Sequence, residues 1–455
     1  METAVEAILG DHPHRVGLLC NLGTLSGRHY QRTGNLQDLE AAIARLDAVV
    51  EETPKDHPAR ALCLNNLANY LNCRYERSGN PLDLEASIAR SEAAVLATPG
   101  DHPDRATFWN NLGKCLSRRY ERSENLQDLE PAITRSEAAV EATPEDHPNR
   151  AGLLLNLGSH LIRRFKRTGD LQDLEAAIGR SEAAVEAMPE DHLDRATLLS
   201  NLGRHLGGRY ERTGNLQDLK AAITRSEAAV EGTPESHSEQ ARRLITLAWH
   251  LSNRYERMGN LQDLEAAIGR SEAAIEATPE DHPDRAGRLK NLGSQLGTRY
   301  QWTGNQQDLE TATALSEAAL EATPADHPNR TGTLSTLGIL LFRRFGRTGH
   351  LEDLEAAITR SEAAVKATPE DHPDRAGLFI NLGNGLRMRY ERTGNLQDMQ
   401  GALAVHIVSC NIIAAPALTR IDAASRAARV LVFSPLFKDL STACLLLRNA
   451  VDLVP

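Results

Sequence analysis

The sequence predicts an all-α, right-handed superhelical solenoid built from helix pairs in 45-residue repeats. An Asp-His-Pro tripeptide at positions 11–13 returns at 56–58, 101–103 and 146–148, and its slot recurs nine times without insertion or deletion. Each copy carries two segments whose apolar residues follow helical spacing, and glycine or proline residues that end helices separate these segments. A period of this length is typical of helical solenoids, propellers and arrays, in which each unit buries its core against its neighbours.

The composition excludes several classes of protein. A net charge of −11 argues against a general binder of nucleic acid or anionic membranes, because both need a basic surface. The six cysteines form no C-x-x-C pair, which indicates reduced thiols in an intracellular protein. The first residues show no signal peptide and no segment is apolar enough to cross a bilayer. We therefore expect a cytoplasmic protein without membrane contact.

The first helix of each repeat is illustrated by residues 101–125. Pro103 is expected at the first helical position, because its fixed φ suits a helix start and its missing amide would be unpaired there. The helix ends near 123–125, where most copies place a glycine such as Gly34 for a left-handed cap. About 20 residues are expected. Its apolar face carries Ala106, Trp109, Leu112, Gly113, Leu116 and Tyr120.

The second helix follows at once and is predicted to hold about 17 residues. Asn35 is placed to cap it in the first repeat, and Asp38 stands three residues on, close to a capping box. In the repeat at 101–145 the helix stops at Thr143-Pro144, and its apolar positions are Leu126, Leu129, Ala132, Ile133, Ala139 and Val140.

Small residues occupy fixed slots where the two helices of a repeat must approach closely. The pattern of a Leu-Gly pair, a small residue early in the second helix, an alanine seven on and a closing proline resembles the tetratricopeptide repeat across residues 11 to about 400. HEAT and armadillo arrays have similar periods but lack this arrangement. The first-helix slot holds Gly23, Ala68, Gly113, Gly158, Gly203, Ala248, Gly293, Gly338 and Gly383, and serines such as Ser136 replace the large ring expected in the second helix.

The two ends depart from the repeat. Residues 1–10 align with the end of a second helix, residues 11–400 form nine repeats, and residues 401–455 are expected to form divergent helices at about 417–433 and 437–453. This C-terminal region resembles the stem of fungal tetratricopeptide-array proteins that lead into a CHAT domain, a caspase-like fold. The resemblance implies a second function, the regulatory stem of a protease whose catalytic domain is missing here. A truncated product and a free-standing array both remain open.

Three ladders of recurring residues have alternative interpretations. The nine histidines of the tripeptide slot are too far apart to share a metal, so we expect polar helix-start residues and no metal or other cofactor. The tyrosine or phenylalanine ladder is interpreted as core. The arginines that precede it predict ion pairs with second-helix glutamates, with capture of phosphate or an acidic peptide as the alternative. The arginines are Arg74, Arg119, Arg164, Arg209, Arg254, Arg299, Arg344 and Arg389.

An asparagine ladder gives the candidate binding surface. Asparagine is a poor interior helix residue, and in tetratricopeptide arrays this slot resembles the groove-facing asparagine that hydrogen-bonds an extended peptide. A bond to the neighbouring repeat is the alternative. Three neighbouring slots vary most between copies, as expected of a surface that recognises a partner, and exposed rings there would need a partner. The predicted partner-binding residues are Asn66, Asn111, Asn156, Asn201, Asn291, Asn69, Lys114, Arg204, Trp249 and Phe342.

These observations predict a non-enzymatic scaffold that binds a protein or peptide along the concave wall of first helices. No nucleophile, paired-carboxylate cleft or phosphate loop stands outside the repeat pattern, so we expect no catalytic residues. The chain is expected to be a monomer, with the C-terminal helix as the alternative site of self-association.

Overall fold

The computed structural model describes residues 15–192, 194–325, 327, 329–433 and 439–451. These residues form twenty helices and no strand, which confirms the all-α fold. The predicted second-helix fragment at 1–10 lies outside them. The helices are α1 Arg15–Thr33, α2 Leu36–Glu52, α3 Arg60–Ser78, α4 Pro81–Leu96, α5 Arg105–Ser123, α6 Leu126–Glu141, α7 Arg150–Thr168, α8 Leu171–Glu186, α9 Arg195–Thr213, α10 Leu216–Glu231, α11 Gln240–Met258, α12 Leu261–Glu276, α13 Arg285–Thr303, α14 Gln306–Glu321, α15 Arg330–Thr348, α16 Leu351–Ala367, α17 Arg375–Thr393, α18 Leu396–Cys410, α19 Ala417–Phe433 and α20 Leu440–Val451.

Helices α1–α18 are nine antiparallel pairs, one for each repeat, in which the odd-numbered helix is the first helix and the even-numbered helix the second. Each first helix has 19 residues, close to the predicted length. The first helix begins two residues later than predicted, however, because Pro103 lies in the preceding turn and α5 starts at Arg105. In that turn the Nδ1 atom of His102 accepts a hydrogen bond from the backbone N–H of Asp104, which supports a structural role for the histidine ladder.

Glycine ends most first helices, as the sequence predicted. The C-cap glycines have φ between 67° and 76°, in the left-handed region that costs glycine nothing and disfavours other residues. In the third repeat Glu124 takes this position with φ of 53°. The next residue then caps the second helix, since the side chain of Asn125 accepts the backbone N–H of Gln127.

The two helices of a repeat approach closely through the predicted small-residue slots. A Cβ atom added to Gly113 would lie 2.8 Å from Ser136 Oγ and 3.1 Å from the Ala132 carbonyl oxygen. The serine that replaces a large ring therefore faces a glycine here, and the same slot holds alanine at Ala68 and Ala248. Leucines of successive repeats are fully buried, among them Leu129, Leu157, Leu174 and Leu202.

The chain divides into two compact units. One ends at Gly232 and contains the repeats from α1 to α10, while the other begins at Thr233 and contains α11 to α20. The sequence treated all nine repeats as one array and did not predict this boundary. In the second unit α19 spans the predicted residues and α20 begins at Leu440, three residues later than predicted, while the predicted end at 453 lies outside the described residues. None of the described helices is both long and apolar enough to cross a membrane.

Candidate functional site

The arginine ladder forms ion pairs within and between repeats. Arg164 on α7 donates from Nε and Nη2 to both carboxylate oxygens of Asp173 on α8, at 2.9 and 2.6 Å, and from Nη1 to Glu130 of the preceding repeat at 2.7 Å. Asp173 is buried, so this is a partly buried bidentate pair. The Asp173 carboxylate raises the pKa of Arg164.

This arrangement confirms the predicted ion pairs but changes the principal partner. The sequence had assigned the aspartate three residues into the second helix to a capping box and chosen glutamates as the partners. In the structure that aspartate receives the bidentate bond, and the glutamate of the previous repeat is a second partner. The same aspartate pairing recurs for Arg74, Arg119, Arg209, Arg254, Arg299, Arg344 and Arg389. Because the guanidinium groups already bind these carboxylates, we interpret the arginine ladder as stabilising the fold.

One of the three variable slots, which holds Gly27, Gly297 and Phe342, lies between neighbouring first helices instead of on an open face. A Cβ added to Gly27 would lie 1.9 Å from Tyr70 Cζ of the next repeat, and one added to Gly297 would lie 2.6 Å from Leu340 Cδ2. At other positions the large and small partners are exchanged, since a Cβ on Gly385 would lie 2.5 Å from Phe342 Cζ. The sequence varies there because each pair of neighbouring repeats packs with its own combination of sizes.

The prediction for Phe342 was wrong in one respect. It was predicted as an exposed ring that needs a partner, but it is half-buried and packs against Ile358 and Leu382 in the second unit. Trp249 is exposed as expected, over 36% of its surface, and its role in partner binding stays a prediction. Lys114 and Arg204 are also exposed, while Asn69 is half-buried.

Three asparagines of the ladder donate hydrogen bonds to the neighbouring repeat. Asn111 Nδ2 donates to Asn65 Oδ1, and Asn156 Nδ2 donates to Asn110 Oδ1, both at 2.9 Å. Asn66 Nδ2 similarly donates to Thr24 Oγ1 at 3.0 Å. These bonds use one amide hydrogen each. The Oδ1 atoms of Asn111 and Asn156 accept no bond from another described residue.

The remaining two asparagines behave differently. Asn201 accepts a bond from Arg204 Nη2 at 2.7 Å on its own helix. Asn291 is half-buried in the second unit and lines a cavity near Trp249.

A cavity of about 600 Å³ in the first unit brings three predicted residues together. Asn111 and Lys114 on α5 and Asn156 on α7 line it, with Thr107 and Leu153 beside them. Lys114 forms no ion pair with a described residue, and partial desolvation together with repulsion by Arg118 lowers its pKa. The cavity therefore offers carboxamide oxygens, the Lys114 ammonium and the carboxylates of Asp104 and Asp194 to a polar guest.

The sequence missed a row of buried polar residues on the first helices. In the first unit His160 and His205 are at least nine-tenths buried, and desolvation lowers the pKa of each to about 3. His205 Nδ1 lies 2.9 Å from Ser181 Oγ, whereas neither ring nitrogen of His160 has a partner. Other repeats place Tyr70, Cys115, Gln295 or Leu340 in this slot, and that variability was the available signal.

The described residues contain no cluster of three or more histidine, cysteine or carboxylate side chains that could hold a metal ion. The polar groups of the cavity in the first unit can accept and donate hydrogen bonds and can pair with charged groups of either sign, since one lysine and two aspartates line it. That chemistry corresponds to binding.

Comparisons with known proteins support the repeat assignment. The family model described as "Tetratricopeptide repeat" matches residues 106–149, which include α5 and α6. No curated protein matches this chain.

Solved structures match at low identity. The C-terminal part of a tetratricopeptide repeat-containing protein from Cytophaga hutchinsonii is 14% identical with a TM-score of 0.42, over 69% of this chain and 99% of that one. The apo quorum sensor NprR from B. thuringiensis is 14% identical with a TM-score of 0.45, over 97% and 99%. A human IFIT1 dimer with PPP-AAAA is 15% identical with a TM-score of 0.41, over 91% and 90%. The resemblance of the C-terminal region to stems of CHAT proteins stays a prediction.

Proposed function

We propose that this protein is a non-enzymatic interaction scaffold that binds a segment of a partner protein along its first helices. The observation that carries the proposal is the cavity of the first unit, where Asn111, Lys114 and Asn156 converge. Repeats of the tetratricopeptide type commonly serve as protein-interaction scaffolds. Stacked repeats of this kind present extended binding surfaces.

The chemistry of the cavity supports a protein segment as the guest. The Oδ1 atoms of Asn111 and Asn156 are available to accept backbone N–H groups while their amide nitrogens hold the neighbouring repeat. The Lys114 ammonium, which forms no ion pair with a described residue, suits a carboxylate side chain on the same segment. The six cysteines form no C-x-x-C pair, and we propose a cytoplasmic location. We propose a monomer, with the exposed Leu445 and Leu447 of α20 as the place of any self-association.

The test compares a variant on the proposed binding surface of the first helices, called the wall variant, with a control variant elsewhere on the surface. A partner is first identified by affinity purification with the full chain from the source cells, and its affinity is then measured by titration calorimetry. Lys114→Ala combined with Arg204→Ala should weaken binding by about tenfold or more, since truncating residues central to an interface costs more than about 1 kcal/mol. Lys114 forms no ion pair with a described residue, so its replacement should change the melting temperature little, and a melting curve checks that the double variant is folded.

The control is Arg135→Ala combined with Glu137→Ala, two exposed residues on the outer face of α6. It should leave the affinity within about twofold. A larger loss in the control than in the wall variant would refute the proposal. Asn111→Ala is a poor probe, because it also leaves the buried Asn65 Oδ1 without its donor and so lowers stability.

A further inference from the structure

A second cavity lies between the first helices α11 and α13 of the second unit and differs chemically from the one described above. Its volume is about 220 Å³, several times the share of one water molecule in the liquid. Trp249, Asn253 and Glu256 line one side, and Asn291 and Gln295 line the other.

Gln295 presents an unsatisfied acceptor at this cavity. Its Nε2 atom donates to Ser252 Oγ at 3.0 Å. The Oε1 atom is buried and has no hydrogen-bond partner, and Gln295 as a whole is about nine-tenths buried. The Nδ2 atom of Asn253 is also buried without a partner. Because buried polar groups are nearly always paired, these atoms indicate a guest with hydrogen-bonding groups.

The charge of the lining selects a cation. Glu256 is its charged residue, and it forms no ion pair with a described residue. The slots that hold Lys114 and Arg118 in the first unit hold Trp249 and Asn253 here. Arg343 on α15 does not line the cavity, since its Nη1 atom donates to the Gly297 carbonyl at 2.9 Å. A cation that enters would therefore meet a carboxylate and no lining cation.

Trp249 narrows the choice of cation. Its indole is partly exposed at the cavity, and a tryptophan face attracts a cation more strongly than any other aromatic ring. A guanidinium group is planar, stacks on such rings and carries five N–H donors for acceptors around its edge. It thus matches an indole face, a carboxylate and an amide oxygen in one site, while the Asn253 Nδ2 donor needs an acceptor such as a backbone carbonyl beside the guanidinium.

We propose that this cavity binds a guanidinium group, stacked on Trp249, neutralised by Glu256 and donating an N–H to Gln295 Oε1. We assign the guanidinium to an arginine side chain of the bound partner segment, so the inference rests on the proposed scaffold function and adds a residue preference to it. Free arginine is the other source of the same group.

Titration calorimetry on the full chain tests the inference with capped arginine, N-acetyl-arginine N-methylamide, as the probe. The matched neutral probe is the same derivative of citrulline, which keeps the shape and loses the charge. Capped arginine should bind saturably and at least about tenfold more tightly than capped citrulline, because hydrogen bonds between ionised groups are roughly twice as strong as neutral ones. Tighter binding of free arginine than of the capped form would overturn the partner assignment.

Two variants locate the site. Glu256→Gln and Gln295→Leu should each weaken capped arginine by about tenfold or more, and Leu340 already occupies the Gln295 slot in another repeat, which favours correct folding of the second variant. Glu211→Gln, at the same slot in the first unit, is the control and should change nothing. Circular dichroism checks that each variant is folded.

Equal affinity for the two probes, or binding that survives Glu256→Gln, would overturn the guanidinium site. Binding of neither probe would mean that the cavity holds only water, which also overturns it. If the probes fail while partner binding still depends on Lys114 and Arg204, the scaffold proposal stands and this inference alone falls.

Discussion

Replacing the two buried histidines of the first unit should make the protein more resistant to acid. In the folded state His160 and His205 are surrounded by apolar side chains and by cations, Arg163 and Lys114 near the first and Arg204 and Lys166 near the second. Burial, reinforced by these charges, lowers the pKa of each imidazole to about 3 from its ordinary value of 6.5. Below pH 6.5 the two histidines are therefore protonated in the unfolded chain but remain neutral in the folded chain.

This difference in proton binding makes the folded protein less stable at acidic pH. As the pH falls from about 6.5 towards 3, the unfolded state gains two protons and the folded state gains none, so the free energy of unfolding decreases. At pH 5 the loss is about 2 kcal/mol for each histidine, or about 4 kcal/mol for both. Above pH 7 both states are neutral at these positions and the effect disappears.

The assay is urea unfolding followed by circular dichroism at pH 7.5 and pH 5, for the natural chain and for the double variant His160→Leu with His205→Leu. Leucine occupies the same slot at Leu340, so the substitution suits the site. The decrease in stability between the two pH values should be about 4 kcal/mol smaller in the variant. Cys115→Leu changes the same slot without removing a histidine and should keep the full decrease. An equal decrease in the natural chain and the double variant would refute the reasoning.

Two further predictions concern packing between helices. Arg164→Met should cost about 3–5 kcal/mol in urea unfolding, because it leaves the buried Asp173 carboxylate without its bidentate partner. Arg122→Met, which removes an exposed guanidinium 3.4 Å from Glu85, should cost less than about 1 kcal/mol, and similar losses for the two would contradict the structural role of the ladder. Gly27→Ser should lower stability by about 1–3 kcal/mol, because its side chain would overlap Tyr70 of the next repeat. Adding Tyr70→Cys, the residue type of Cys115 in the same slot, should restore part of that loss, and strictly additive effects would show that the two positions do not pack together.

Much of the fold was accessible from the sequence because the repeat displays the same physical requirements nine times. Glycine at the first-helix ends, asparagine at the second-helix starts and small residues at the close contact each answer a local need, and all three were confirmed. The predicted start of the first helix at Pro103 was two residues too early, because a proline suits either the first helical turn or the turn before it.

The candidate site was harder to predict because it depends on which side of a first helix meets the next repeat. Spacing places the three variable slots on one helical face, but it cannot say that Gly27 and Phe342 abut neighbours while Trp249 reaches solvent. The asparagine ladder has the same difficulty, since a polar side chain near such a contact can serve a neighbour, a partner or both.

The sequence by itself determined the helix pairs, their caps and the recurring arginine–carboxylate chemistry, because these depend on residues at most one repeat apart in a strictly periodic chain. Tertiary structure alone decided the aspartate as principal partner, the pairing of large and small residues between first helices, the two cavities and the division near Gly232. These features depend on distances between side chains that the periodicity leaves unspecified.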